Sequence, residues 1–356
     1  MVTLLDCINR VPSIVEKIVA GRDENFAAFF GMLKPELEKI SQIVLIGSGT
    51  SNTSAMTARG FMEKVTKLET VCVLPNEFLH QRSVYRPDAL YIFTSQSGTS
   101  TLTQQAARRM REKGYRTVSI TENSQTPLAQ ITHAHIDMGC GKEEYGMRTI
   151  GYCASVLTLM LLGVEIAACL QRITEGEKQQ LIEHVLRVPD SHRKISAAAM
   201  DWFDQHREAL MKSRSFTLYG GGSLWGVALE GALKILEISK SRMAVGYESD
   251  DGMHGPTMGF TEDNAVIVLD DGGIDHQRGQ NLARWAKEVM HNGWIIGSQT
   301  LDGQDLKVEL VSEEFVCLEM APAVQVLAYR LAVDNGIDLQ DKSIHKEREY
   351  FSTHQQ

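Results

Sequence analysis

Residues 42–54 read QIVLIGSGTSNTS, and residues 89–101 read ALYIFTSQSGTST. Each is a short apolar run that passes directly into a loop of Gly, Ser and Thr. A helix-period stretch follows each, SAMTARGFMEKV after the first and LTQQAARRMREKG after the second. An apolar run without polar alternation fits a strand buried on both faces. Strand alternating with helix predicts a parallel sheet wrapped by helices on both sides. TVCVLP, YRTVSIT and AHIDMGC add short strands to that sheet.

Upstream, the first 40 residues read as helical. VPSIVEKIVAG ends at Gly21, and ENFAAFFGMLKPELEKI continues the pattern. Downstream of an apolar helix near residues 152–170 lies a polar stretch, ITEGEKQQLIEHVLRVPDSHRKIS, which places a domain joint near residue 190. The rhythm then repeats. IVLIGSGTS matches FTLYGGGSL, and LYIFTSQSGTS matches VIVLDDGGID. Asn76–His80 matches Asp250–His254, and REKGYRTVSI matches VMHNGWIIGS. Identity between the halves is weak, and the ordered spacing suggests a duplication. The expected architecture is α/β: two tandem, doubly wound parallel-sheet lobes, each a three-layer αβα stack. A helical segment occupies residues 1–38, lobe one 39–190 and lobe two 191–356.

The chain has 356 residues, enough for two domains, with 43% hydrophobic and 23% charged residues. That composition excludes a disordered chain, a collagen and a disulfide mini-protein. Lys+Arg 36 against Asp+Glu 45 gives a net charge of −9, which disfavours a nucleic-acid backbone binder. Six cysteines are scattered with no C-x-x-C pair, as expected of a reduced cytoplasmic protein without a structural zinc site. The N-terminus lacks a basic region followed by an apolar core, so no signal peptide is expected. Gly163 and Glu165 interrupt the longest apolar stretch, which reads as a buried helix rather than a membrane span.

The two loops of lobe one carry the first functional signal. Gly47-Ser48-Gly49-Thr50-Ser51 and Ser95-Gln96-Ser97-Gly98-Thr99-Ser100 each lie between a strand and a helix. In an open parallel sheet that is the ligand-binding edge. Glycine lets backbone approach a ligand, helix starts offer free N–H groups, and hydroxyls add donors without bulk. The expected ligand group is a phosphate, although Ser and Thr also serve simply as helix caps. Neither loop is a P-loop, and Asn52 stands where a dinucleotide fingerprint wants its third glycine. Lobe two has Asp270-Asp271-Gly272-Gly273 at the matched position, and two carboxylates repel a phosphate. Phosphate binding is therefore expected in lobe one only.

Lobe two offers acid–base chemistry. Glu230, Lys234 and Glu237 recur at i, i+4 and i+7, one narrow stripe on a helix otherwise apolar nearly all round. Such a stripe faces either water, as an ordinary Glu–Lys pairing, or an internal cleft, where a carboxylate beside a lysine serves as a positioned base. His254 sits in the tight loop Gly252-Met253-His254-Gly255-Pro256, where it is either a surface residue or a group that moves a proton near neutral pH. The charged C-terminal run 341–350, with Lys342 and Lys346, reads as a solvated tail or as a segment reaching back over the cleft.

These residues resemble a known family. Gly49-Thr50-Ser51, Ser95-Gln96-Ser97-Gly98, Ala228-Leu229-Glu230-Gly231-Ala232-Leu233-Lys234 and His254-Gly255-Pro256 are similar to the sugar-isomerase (SIS) phosphosugar-binding proteins. The pattern is nearest to the isomerase half of glucosamine-6-phosphate synthase, whose relatives include the fructoselysine- and glucoselysine-6-phosphate deglycases. The resemblance spans about residues 40–350. It implies two SIS lobes and phosphate held by Thr50, Ser51, Ser95, Gln96, Ser97 and Ser100. It implies that Glu237 moves protons between C1 and C2, with Glu230 and Lys234 beside it on the active-site helix. It assigns ring opening to His254, supplied by the neighbouring subunit of a homodimer or of a dimer of dimers.

The sequence also departs from that pattern. Val2 follows Met1, and no glutamine amidohydrolase domain fits in the 40 residues ahead of the lobes. Arg148-Thr149-Ile150-Gly151 stands where the synthase has a lysine-containing S-T-K segment. The synthase's C-terminal lysine run is absent, leaving Lys342 or Lys346 to serve. The leading expectation is a cofactor-free, metal-free deglycase of a 6-phosphorylated Amadori compound, releasing hexose 6-phosphate and an amino acid. The alternatives are an aldose–ketose or amino-sugar phosphate isomerase and a non-catalytic phosphosugar sensor. No nucleic-acid or membrane partner is expected.

Overall fold

The computed structural model describes residues 2–341 and 350–354. The chain forms two compact units. The first-lobe unit comprises Ser13–Glu144, Ile150–Leu186 and the described tail residues 350–354; the second-lobe unit comprises residues 2–12, Tyr145–Thr149 and Arg187–Asp341.

A single helix α1 (Leu4–Leu33) opens the chain. It does not end at Gly21, as the sequence reading had it. Gly21 has open space around it, so nothing forces a turn there, and the apolar spacing carries the helix through. Pro12 lies inside α1 without ending it.

The first-lobe unit then alternates as expected: β1 (Gln42–Ile46), α2 (Thr50–Thr66), β2 (Glu69–Val73), α3 (Pro75–His80), β3 (Ala89–Thr94), α4 (Thr101–Glu112), β4 (Thr117–Thr121), α5 (Pro127–Ile131) and β5 (Ala134–Asp137). Its sheet is parallel throughout, in the order β2-β1-β3-β4-β5. Every residue of β1, β3 and β4 is buried, the cause of the apolar runs in β1 and β3, whereas β4 buries the hydroxyls of Thr117, Ser119 and Thr121 as well. One face packs Phe78, Tyr91 and Phe93 with Ala106, Ala107 and Met110 of α4. Two helices complete the unit, α6 (Ile150–Cys169) and α7 (Glu175–Val185), the latter started by a Thr174–Glu177 capping box.

The second-lobe unit contains α8 (Val188–Lys212), β6 (Ser215–Gly220), α9 (Ser223–Ser239), β7 (Met243–Glu248), β8 (Asn264–Asp270), α10 (His276–Glu288), β9 (Gly293–Gly297), β10 (Leu306–Lys307) and α11 (Val316–Val333). Its sheet is also parallel, in the order β7-β6-β8-β9-β10. Read from the second strand of each lobe, the two orders are the same. The likeness extends to single residues. Gly49 (φ 57°, ψ −129°) and Gly222 (φ 54°, ψ −124°) start α2 and α9 with one backbone turn that only glycine adopts freely. Both helices run 17 residues and end on a left-handed lysine, Lys67 and Lys240. The structure is thus two αβα lobes with parallel sheets.

Helices α6 and α11 are long and apolar enough to cross a membrane, but 83% of each apolar window is buried inside the fold. Such helices form the core of a globular unit.

Candidate functional site

In the first-lobe unit, β1 and β3 pair side by side, Ile46 opposite Phe93. The chain leaves β1 toward β2 on one side and β3 toward β4 on the other. Loops 47–49 and 95–100 therefore emerge together at the topological switch point, the usual ligand position. Thr50 begins α2, and Ser100 precedes α4.

The second loop is tightly bound to its surroundings. Ser95 N–H donates to Ile120 O at 3.1 Å, Glu122 N–H to Gln96 O at 2.8 Å and Leu128 N–H to Gly98 O at 3.2 Å. Gly98 sits at φ +64°, where a Cβ would lie 2.5 Å from Thr126 Cβ. Hydroxyls line the turn: Ser95 Oγ donates to Ser100 Oγ at 3.1 Å, and Ser97 Oγ and Thr99 Oγ1 share a bond of 2.8 Å. Gln96 is buried. Its Nε2 reaches Gly141 O at 3.4 Å, whereas its Oε1 has no partner and lies where a Cβ on Gly151 would fall. In the first loop, Ser51 N–H donates to Ser48 O at 3.1 Å, and Thr53 N–H to Gly49 O at 3.0 Å. Thr50, Ser51, Ser97 and Ser100 are half-buried, and Ser95 and Gln96 are buried.

Two features here lay outside the residues singled out in the sequence. Glu143, itself buried, accepts the N–H groups of Ile150 and Gly151 with its two oxygens, both at 3.1 Å, and so caps α6. Thr101 N–H, at the start of α4, donates to Thr353 O at 3.0 Å, and Ser100 and His354 form an antiparallel bridge. The end of the chain thus pairs with the serine loop. Lys342 and Lys346 lie outside the described residues.

In the second-lobe unit, α9 carries the carboxylate–lysine stripe. Lys234 is 1% exposed and Glu230 0%. Lys234 Nζ lies 2.5 Å from Glu237 Oε2 and 3.4 Å from Glu230 Oε1. Glu237 differs in having a side chain 36% exposed, and no described residue pairs with its Oε1. Burial by itself would lower the Lys234 pKa, but the two carboxylates outweigh it and the net shift is upward. The stripe is therefore no solvated helix pair. A buried ammonium fixes one buried carboxylate and presents a second at the surface of its unit.

His254 does not join this cluster. Its side chain is 74% exposed, and its Nε2 lies 3.3 Å from Asp250 Oδ2. The loop leaves β7 through a short 3₁₀ turn, Asp251–Met253, shaped by Glu248, whose Oε2 accepts the N–H groups of Asp250 and Asp251. At the matched position of the other lobe, α3 ends on His80. Among the described residues, no three His, Cys, Asp or Glu side chains are grouped to hold a metal ion.

Residues 36–166 match the family model described as SIS domain. The chain carries a SIS domain. It is 28% identical over 272 residues to glutamine--fructose-6-phosphate aminotransferase [isomerizing] of Pseudomonas aeruginosa, covering 75% of this chain and 44% of that protein. To the Pseudomonas putida protein of the same name it is 26% identical over 353 residues, 94% of this chain and 56% of that protein. The chain thus spans about half the length of these relatives. Among solved structures, a Clostridium difficile 630 protein described as a phosphosugar isomerase superposes with a TM-score of 0.89 at 22% identity, over 99% of this chain and 100% of the other. The C-terminal domain of glucosamine-fructose-6-phosphate aminotransferase from Francisella tularensis gives 0.83 at 20% identity, over 94% and 96%. A Salmonella typhimurium LT2 protein described as sugar-binding gives 0.78 at 27% identity, over 91% and 98%. The first two likenesses establish the fold. The SIS domain match covers the lobe that holds the serine loops.

Proposed function

We propose that this protein is a phosphosugar isomerase that moves a proton between C1 and C2 of a 6-phosphorylated ketose, aldose or amino sugar. The observation that carries the reading is the α9 stripe, in which Lys234 holds Glu237 by one carboxylate oxygen and leaves the other unpaired. The serine and threonine loops of the SIS domain suit the phosphate. The relatives' name, with its isomerising step on fructose 6-phosphate, supports the same chemistry.

In this reading the Thr50–Ser51 and Ser95–Ser100 hydroxyls, with Gln96, hold the phosphate and fix the sugar chain. His254 passes a proton to the ring oxygen while the anomeric hydroxyl loses one, opening the ring. It comes from the neighbouring subunit of a homodimer, which its exposure suits. Glu237 then takes a C1 proton as a carboxylate, electrons move onto the C2 carbonyl oxygen, and an enediolate forms whose hydroxyl proton passes from O1 to O2. The same carboxyl returns the proton to C2, and the carbonyl moves to C1. Lys234 and Glu230 position Glu237 and do not exchange protons with the sugar. These steps use only carboxyl, imidazole and hydroxyl groups of the chain. Six cysteines with no disulfide fit a reducing compartment, and we assign the protein to the cytoplasm.

A second reading is a deglycase of a 6-phosphorylated Amadori compound. Arg148, in the segment where the resembling synthase carries a lysine, favours it. The same proton transfer would there give an imine that water splits into hexose 6-phosphate and an amine. An assay that follows both hexose 6-phosphate release and ketose–aldose interconversion separates the two readings. Candidate substrates are fructose 6-phosphate, glucosamine 6-phosphate and fructoselysine 6-phosphate. Interconversion without amine release is expected. Release from the lysine adduct alone would move the assignment to the deglycase. Binding of all three without any product would assign a sensor.

A further inference from the structure

The second sheet has a switch point of its own, between β6 and β8. The loops that leave these strands, residues 221–222 and 271–275, enclose a cavity of about 100 Å³. We propose that this cavity binds a primary ammonium group, a site separate from the phosphate loops and independent of the isomerase reading.

The volume holds about three water molecules, a head group rather than a sugar ring. Its lining is rich in acceptors: Ser223, Ser249, Asp270, Asp271, Asp275 and His276. Asp270 is buried and held by Gly272 N–H at 2.8 Å and Gln280 Nε2 at 3.2 Å. His276 Nδ1 lies 2.7 Å from Asp270 Oδ2. Asp271 Oδ1 accepts only Gly273 N–H, at 2.8 Å. Asp275 Oδ2 lies against Gly221, 2.1 Å from where a Cβ would be, so a carboxylate occupies the start of α9.

Ser249 points independently to a ligand. It is 5% exposed, lines the cavity, and its hydroxyl makes no hydrogen bond among the described residues. The hydroxyl opens into the cavity, where it offers an acceptor that no described protein group engages. Of the lining carboxylates, Asp270 pairs with His276, Asp275 lies 3.3 Å from the half-exposed Arg278, which also lies 3.6 Å from Asp250, and Asp271 meets no cation among the described residues. That balance repels an anion. The side chains are not grouped to coordinate a metal ion. A primary ammonium has three donors and one positive charge, matching Asp271, Asp275 and the Ser249 hydroxyl.

The test is calorimetric titration of the full chain at constant ionic strength with ammonium chloride, methylammonium chloride and ethanolamine. Saturable binding at one site per chain is expected, weakened at least about tenfold by Asp275→Asn. Ser249→Ala provides a second, milder variant should Asp275→Asn fold poorly. Binding of ammonium alone identifies the free ion, and binding of all three identifies an amine head group. Either result supports the site. Non-saturable heats would overturn it, as would equal binding by both variants. So would inorganic phosphate or magnesium binding that Ser249→Ala abolishes.

Discussion

Lys234 concentrates the residue-scale argument. A fully buried carboxylate such as Glu230 is tolerated because an ammonium lies beside it. Lys234→Met leaves that charge without its lysine, and a loss of about 3–5 kcal/mol of unfolding free energy is expected in denaturant melts. The double variant Glu230→Gln, Lys234→Met recovers part of it, because no buried charge remains. His192 makes a second prediction. It is buried on α8, neither ring nitrogen has a partner among the described residues, and burial pushes its pKa down to about 3. The unfolded chain takes up this proton below about 6.5, and the folded chain does not until about 3. Stability from His192 is therefore present above the ordinary histidine pKa and lost as pH falls. Between pH 6 and 4 the wild type should lose about 1.4 kcal/mol per pH unit more than His192→Leu. At pH 7 the variant should be neutral or stabilising, because an apolar group replaces unsatisfied ring nitrogens.

The elements that matter are loop-to-helix junctions. Gly98 combines a left-handed φ with contact to Thr126, so an alanine there costs both conformation and space. Gly98→Ala should lower stability by about 1–3 kcal/mol. Inorganic phosphate is expected to raise the melting temperature of the wild type in differential scanning fluorimetry, and Gly98→Ala to abolish that rise. The junctions were legible in the sequence because small residues between an apolar run and a helix have few other uses. The buried state of Lys234 was legible only in part. The apolar surroundings of the stripe showed, but a single sequence does not say which neighbours enclose it. The Glu143 cap and the Asp270–His276 pair were not legible, and a returning tail was legible only as one of two alternatives for the run 341–350, not as the pairing of Thr353 and His354 on the serine loop. Each joins residues through tertiary contact or loop geometry that no local pattern encodes. His276 had one signal, its place just after the loop matched to Ser95–Ser100.

At the scale of the molecule, two sheets share one strand order, one helix length and one glycine turn, yet their switch points carry opposite chemistry. The first has hydroxyls, and the second has carboxylates. That contrast showed in Ser95–Ser100 against Asp270–Gly273, because charge is written directly in residue type. The succession of strands and helices was readable because the two alternate along the chain, whereas the order of strands across each sheet was not. The single run of α1 was not, because a glycine inside a helix looks the same as one that ends it. The central claim is proton transfer by Glu237 on a phosphorylated sugar. The direct measurement is incubation with fructose 6-phosphate or glucosamine 6-phosphate in D₂O, followed by NMR of the C1 and C2 protons. The account predicts deuterium at these carbons with wild type and a loss of at least about a hundredfold in rate with Glu237→Gln. Exchange at an unchanged rate in Glu237→Gln, or none in the wild type despite saturable sugar-phosphate binding, would contradict it.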